Sequence, residues 1–223
     1  MITLACLDMA GTTVADGGAV ESSFVDAMMH CGVAEDSEQM RAALEHVRAS
    51  MGQSKIAVFR HLFAGNEMEA ARANEAFEAA YARAVDGGQI SPMPGAEGAL
   101  AELREMGVKV CLTTGFAPDT RNRILDALRW HSLVDLALSP SDAGRGRPFP
   151  DMILAAVLRL EVDAVREVAV AGDTVSDLLA GTRAGASIVA GVLTGAHGRA
   201  DLETAPHTHI LDSIAALPGV LRC

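Results

Sequence analysis

The chain is short of positive charge. Over its 223 residues, 18 lysines and arginines face 29 aspartates and glutamates, leaving a net charge of −11. That balance excludes the basic footprint that nucleic acid or an anionic membrane surface requires. An anionic ligand must therefore be held by local cations or by a metal. No run reaches the roughly 20 apolar residues of a membrane span. The first strand-like run lacks a basic segment before it and stops at Asp8, so it does not read as a secretory leader. Cys6, Cys31, Cys111 and Cys223 are scattered and form no C-x-x-C pair. With Cys6 and Cys111 inside predicted strands, all four read as reduced thiols of a cytoplasmic protein. Lysine is the scarcest cation: it stands only at 55 and 109, against sixteen arginines. Lys109 opens an apolar strand, which leaves Lys55 conspicuous. No internal repeat or low-complexity tract is present.

What is there is hydrophobic and ordered. Half of the residues are apolar, enough for a substantial core. Residues 2–8 read as a buried strand. From about 18 to 86 the spacing is helical: Met40, Leu44, Val47 and Met51 mark one face, Ile56, Phe59 and Phe63 a second, and Ala70, Asn74, Phe77 and Tyr81 a third. Ser91-Pro92-Met93-Pro94-Gly95 is a breaker cluster. Beyond it helix and strand alternate: helices near 95–106, 118–129, 151–160 and 174–184, and strands at 108–113, 133–138, 167–171 and 187–192. Short elements close the chain near 208–211 and 212–221. The alternation predicts βαβ units and a parallel sheet. The expected fold is α/β, a Rossmann-like core from 1–16 and 93–223 with an inserted helical cap at 17–92.

Four positions fall at or just beyond strand ends: Asp8, Thr114, Arg147 and Asp173. Ligands in an open parallel sheet bind outside these carboxyl ends. Asp8 sits in Asp8-Met9-Ala10-Gly11-Thr12-Thr13, before a loop whose N–H groups can hold an anion. Asp8 and Asp173 are oxygen ligands suited to Mg²⁺, Thr114 can bond a phosphoryl oxygen, and Arg147 offers a cationic fork. Each has a plainer reading. Arg147, in a Gly/Pro loop, can be solvated, and Thr174 with Asp177 fits a helix capping box. Position 10 is alanine, so no acid stands two residues after Asp8 to protonate a leaving alkoxide.

The order D-x-x-G-T, T-T-G, a basic residue and G-D-x-x-x-D resembles the haloacid dehalogenase superfamily across the whole chain. The resemblance implies Asp8 as the nucleophile that forms an aspartyl-phosphate. It implies phosphate contacts from Gly11, Thr12, Thr114, Gly115 and Arg147, and Mg²⁺ bound by Asp8, the Ala10 carbonyl and Asp173, with Asp177 in support. A finer resemblance is to the phosphonatases. It rests on Ala10, on Arg147 in Gly-Arg-Pro-Phe-Pro, and on Met51-Gly52-Gln53-Ser54-Lys55-Ile56, which is similar to the segment that carries their Schiff-base lysine. Direct rupture of a C–P bond expels a carbanion, whereas an imine on Lys55 accepts the electrons and an enamine leaves instead. No acid at position 10 is then needed.

The chain departs from that pattern at three places. Val58 stands where phosphonatases carry a histidine, with His61 one turn further on. Phe116 replaces an aromatic hydroxyl after the T-T-G motif. A cysteine expected in the Asp16-Gly17-Gly18 region is missing. These affect the substrate pocket rather than the phosphoryl-transfer core. The expected reaction is Mg²⁺-dependent hydrolysis of an aldehyde phosphonate, phosphonoacetaldehyde giving acetaldehyde and phosphate. The rivals are hydrolysis of a related phosphonate, a phosphatase of small phosphate esters, and a phosphate-ligand sensor without turnover. The resemblance also implies a homodimer through the cap. His207-Thr208-His209 reads as alternation on a late edge strand, and Trp130 as a packing residue.

Overall fold

The computed structural model describes residues 1–222. The opening apolar run forms β1 (Leu4–Asp8), every residue of it buried. A two-residue strand, β2 (Val14–Ala15), precedes four consecutive helices: α1 (Ala19–His30), α2 (Glu38–Ala49), α3 (Lys55–Leu62) and α4 (Glu67–Asp86). After β3 (Ser91–Pro92) the chain alternates through α5 (Ala96–Glu105), β4 (Lys109–Thr113), α6 (Pro118–Leu128), β5 (Leu136–Leu138), α7 (Pro140–Ala143) and α8 (Asp151–Arg159). It closes with β6 (Val168–Gly172), α9 (Val175–Ala184), β7 (Ile188–Val192), α10 (Arg199–Leu202), β8 (His209–Leu211) and α11 (Leu217–Leu221).

Six strands form one parallel sheet in the order β5-β4-β1-β6-β7-β8. Strands buried on both faces need no polar alternation, which is why β1, β4 and β6 read as unbroken apolar runs. The α/β parallel architecture is as the alternation predicted. β1 lies at the centre, and the chain moves outward to β4 on one side and β6 on the other, so a crevice opens at the carboxyl ends beside it. Register fixes the depth of that crevice. Asp8 pairs with Thr113 and Leu7 with Ala171, so Asp8, Thr114 and Asp173 emerge together at one edge.

The four helices between β2 and β3 pack around their own aromatic centre. Phe24 lies 5.0 Å from Phe59 and 4.6 Å from Phe77, ring centre to ring centre. Such tilted pairs contribute roughly 0.5–1.5 kcal/mol each beyond the area they bury. Ser37 and Asn66 cap α2 and α4 by accepting the Met40 and Glu69 N–H groups.

The structure corrects several boundaries. Within the breaker cluster, Ser91–Pro92 is a strand, paired antiparallel with β2. Proline is tolerated there because a two-residue edge ladder asks little of its missing N–H. β5 begins at Leu136 rather than 133, because a 3-10 turn at Trp130–Ser132 uses the preceding residues. Trp130 is fully buried and donates its indole N–H to Glu97 at 2.9 Å. His209 opens the edge strand β8 and is exposed. Cys6 and Cys111 are buried free thiols on paired strands and Cys31 is a half-buried one; Cys223 lies outside the described residues. No described helix is long and apolar enough to cross a membrane.

Candidate active site

Asp8 ends β1, and the chain turns sharply after it. The Met9 carbonyl accepts the Thr13 and Val14 N–H groups at 2.9 and 2.8 Å, and the Thr13 hydroxyl donates to the Asp8 carbonyl at 2.8 Å. Gly11 takes φ +86° inside this turn, and a Cβ there would strike the Asp173 carboxylate. Asp173 follows β6 directly. Its two oxygens accept the Thr12 hydroxyl at 3.2 Å and the Ala196 N–H at 2.7 Å.

Arg147 crosses the floor of the crevice. It is 6% exposed, so the solvated reading of the Gly/Pro loop is overturned. Its Nη1 donates to Asp8 Oδ1 at 2.6 Å and also to Asp177 Oδ1, while its buried Nε has no partner. Asp177 uses its other oxygen to accept the Thr174 N–H at 3.1 Å and hydroxyl at 2.5 Å. The capping-box reading is therefore right for Thr174 and Asp177, and Asp177 holds Arg147 as well. The Thr114 hydroxyl accepts the Phe116 N–H at 3.2 Å, which leaves its own hydrogen free to donate.

Lys55 begins α3 and is only 7% exposed, so it is no solvated helix residue. Its Nζ lies 4.9 Å from the Phe116 ring centre and 5.7 Å from those of Phe24 and Phe77. Two glycines bring it in. Gly52, at φ +84°, packs where any Cβ would meet the Thr174 hydroxyl. Gly115 packs where a Cβ would meet the Gln53 carbonyl, and its own carbonyl accepts the Lys55 N–H at 3.2 Å. The segment 51–54 is thus wedged between the loops that follow β4 and β6. Asp8, Gly11, Lys55, Thr114, Arg147 and Asp173 all line one cavity of about 470 Å³, with Ala10, Gly115 and Phe116 also on its wall.

The electrostatics follow from burial. Asp8, Asp173 and Asp177 are buried together, and the Arg147 guanidinium pairs with Asp8 and Asp177 but not with Asp173. Burial, helped by the neighbouring carboxylates, pushes Asp8 well above the usual range against the pull of Arg147. Burial and the Asp177 charge push Asp173 up to about 6. Lys55 is lowered to about 8, first by burial and then by the Arg147 charge, against Asp8, Glu78 and Asp16. Among the described residues no three acidic, histidine or cysteine side chains cluster closely enough to hold a metal alone. Two carboxylates and a backbone carbonyl, with water and a phosphoryl group completing the shell, is the pattern Mg²⁺ accepts. The excess of buried carboxylate over cation fits such an ion.

The sequence reading missed some contributors. The Thr194–Ala196 loop closes on Asp173: Gly195 leaves no room for a Cβ beside it, and the Thr194 hydroxyl donates to the Gly11 carbonyl at 2.7 Å. The only hint was a glycine just past the end of an apolar strand. Asp16 accepts the Gly18 and Val20 N–H groups and so begins α1. Val58 is buried in the core, and His61 is exposed, stacked 3.9 Å from His46.

Comparison with known proteins identifies the family. The profile of the haloacid dehalogenase-like hydrolases matches residues 2–185. The chain belongs to that family. Within it, the chain is similar to the phosphonoacetaldehyde hydrolase of Bacillus cereus, at 33% identity over 201 residues, 84% of this chain and 74% of the relative. It is 30% identical to a phosphonoacetaldehyde hydrolase-like protein of Syntrophobacter fumaroxidans, covering 85% of this chain and 72% of that one. A solved phosphonoacetaldehyde hydrolase-like protein from Oleispira antarctica superposes with a TM-score of 0.84 at 25% identity, over 99% of this chain and 91% of its own. This haloacid dehalogenase-like hydrolase is accordingly an enzyme, and a small-molecule phosphate or phosphonate substrate fits its family.

Proposed function

We propose that the enzyme hydrolyses the C–P bond of an aldehyde phosphonate, with phosphonoacetaldehyde as the substrate. One observation carries this reading: a buried lysine, poised to be partly neutral, opens onto the same cavity as Asp8, in a site whose position 10 offers no acid. The neutral Lys55 amine attacks the aldehyde and forms an iminium. Asp8 attacks phosphorus, the C–P electrons flow into the iminium, and an enamine departs. Water then cleaves the aspartyl-phosphate. Thr114 and Arg147 bind the phosphoryl oxygens, with Gly11, Thr12 and Gly115 shaping the loops around them.

Asp8, the Ala10 carbonyl and Asp173 would hold Mg²⁺, with Asp177 in support through Arg147 and Thr174. Bound there, the ion supplies charge neutralisation between an anionic nucleophile and an anionic substrate. Residues 1–16 and 93–223 act as the catalytic core and 17–92 as a cap that carries Lys55 to it and excludes bulk water. The test is Lys55→Arg, which keeps the charge and cannot form the imine. Phosphate release from phosphonoacetaldehyde should vanish while the fold persists; undiminished release would end the imine reading.

A further inference from the structure

Asp173 is gripped from two sides. Gly11 faces it across the turn that follows β1, and Gly195 faces it from the loop that follows β7; a Cβ on either glycine would strike its carboxylate. The glycines themselves nearly meet, since the same Cβ on Gly11 would come within 3.0 Å of Gly195 Cα. β7 is no neighbour of β1, because β6 lies between them in the sheet. With strands about 4.8 Å apart, the loop after β7 has to cross the end of β6, a span of about 10 Å, to reach the Asp8 turn.

Hydrogen bonds hold the loop in that crossing. The Thr194 hydroxyl donates to the Gly11 carbonyl at 2.7 Å. The Ala196 N–H donates to Asp173 Oδ2 at 2.7 Å, and the His197 N–H to the Asp173 carbonyl at 3.3 Å. His197 Nδ1 accepts the Val175 N–H at 3.0 Å, at the start of α9. Of these, only the Thr194 bond reaches the β1 side. The sheet does not need it, because β7 is already tied to β6 and β8 by its own ladders. What the bond fixes is the spacing between the turn that carries Asp8 and the Ala10 carbonyl and the loop that carries Asp173. An ionised carboxylate has about four lone-pair sites. The Ala196 N–H and the Thr12 hydroxyl use part of them and set the orientation of the rest, at the wall of the cavity that Asp173 lines.

We propose that the Thr194–Ala196 loop is a positioning strut for the cation site, with Thr194 as its pin on the Gly11 carbonyl. The inference rests on the Mg²⁺ ligand set proposed above. Mg²⁺ demands near-octahedral geometry and binds poorly to donors at the wrong separation. With the pin in place, the Ala10 carbonyl and Asp173 stand at one separation before an ion arrives. Without it, the longer Thr12 bond is left to hold the turn against Asp173.

The test reads Mg²⁺ binding rather than turnover: calorimetric titration with MgCl₂, and Tm against Mg²⁺ concentration, in wild type, Thr194→Val, Thr194→Ser and Gly195→Ala. Thr194→Val keeps the branched shape and removes the donor. Its Mg²⁺ affinity should fall ~10–100-fold, and the rise of Tm with Mg²⁺ should move to correspondingly higher concentration. Thr194→Ser keeps the hydroxyl and should recover most of the affinity. Gly195→Ala pushes on Asp173 from the loop side and should weaken Mg²⁺ in the same way, which keeps the strut testable even where Thr194→Val fails to fold. Wild-type Mg²⁺ affinity in Thr194→Val or in Gly195→Ala would overturn the strut, and a lower metal-free Tm beside that unchanged affinity would mark the bonds as structural only. Thr194→Ser as weak as Thr194→Val would overturn the role of the hydroxyl. No Mg²⁺ binding in the wild type would overturn the ligand set, and the strut with it.

Discussion

Replacing Gly52 with alanine tests whether the lysine is held by the packing described here. Gly52 takes φ +84°, a backbone that costs an L-residue about 1–2 kcal/mol. A Cβ would also collide with the Thr174 hydroxyl, and would lie 3.2 Å from Thr174 Cβ and 3.3 Å from Ser176 Cβ. Thr174 cannot retreat freely, since its hydroxyl and N–H are both held by Asp177. The segment 51–54 must therefore lift away and draw Lys55 with it. Stability should fall by about 1–3 kcal/mol, which lowers Tm by roughly 2–12 °C in a chain of this size. A displacement of Lys55 by about 1 Å should cut turnover of phosphonoacetaldehyde ~10²-fold. The assays are thermal melting and phosphate release, and the cycle with Thr174→Ala isolates the contact: Gly52→Ala should cost less on the Thr174→Ala background. Full activity and an unchanged Tm in Gly52→Ala would refute the reasoning.

Three further outcomes are expected. Tyr81→Phe removes a buried hydroxyl that has no partner, so the protein should gain about 1 kcal/mol and melt about 2–4 °C higher; a lower Tm would show that the hydroxyl is bonded. With Lys55 at about 8, its acylation by acetic anhydride should rise with pH and level above that value, because only the neutral amine reacts. At pH 7 roughly a tenth of it is neutral, against about 0.03% for an ordinary lysine, and a rate still climbing at pH 10 would contradict the lowered value. Chelation should abolish phosphate release and Mg²⁺ should restore it, and added Mg²⁺ should raise Tm because three carboxylates are buried together and the one guanidinium among them pairs with only Asp8 and Asp177; a Tm indifferent to Mg²⁺ would count against the ligand set.

Much of the sheet was legible because its strands are buried on both faces and separated by helices of ordinary length. Asp8, Thr114 and Asp173 were legible for the same reason, as each stands where an apolar run stops. Arg147 was ambiguous: a Gly/Pro loop does not say which of its side chains turns inward, and the carboxylates that draw Arg147 in lie far away in sequence. Burial of Lys55 depends on Gly52 meeting Thr174 and on Gly115 meeting Gln53, contacts between distant segments that no local periodicity encodes. The β2–β3 ladder is two residues long and closes around a proline, so it left no pattern.

The most direct measurement is Mg²⁺-dependent phosphate release from phosphonoacetaldehyde beside a generic phosphate ester at equal concentration, in wild type and in Lys55→Arg. The account predicts rapid release from the phosphonate, little from the ester, and loss of the phosphonate activity in Lys55→Arg. Release from the ester alone, or from the phosphonate without need of Lys55, would contradict it.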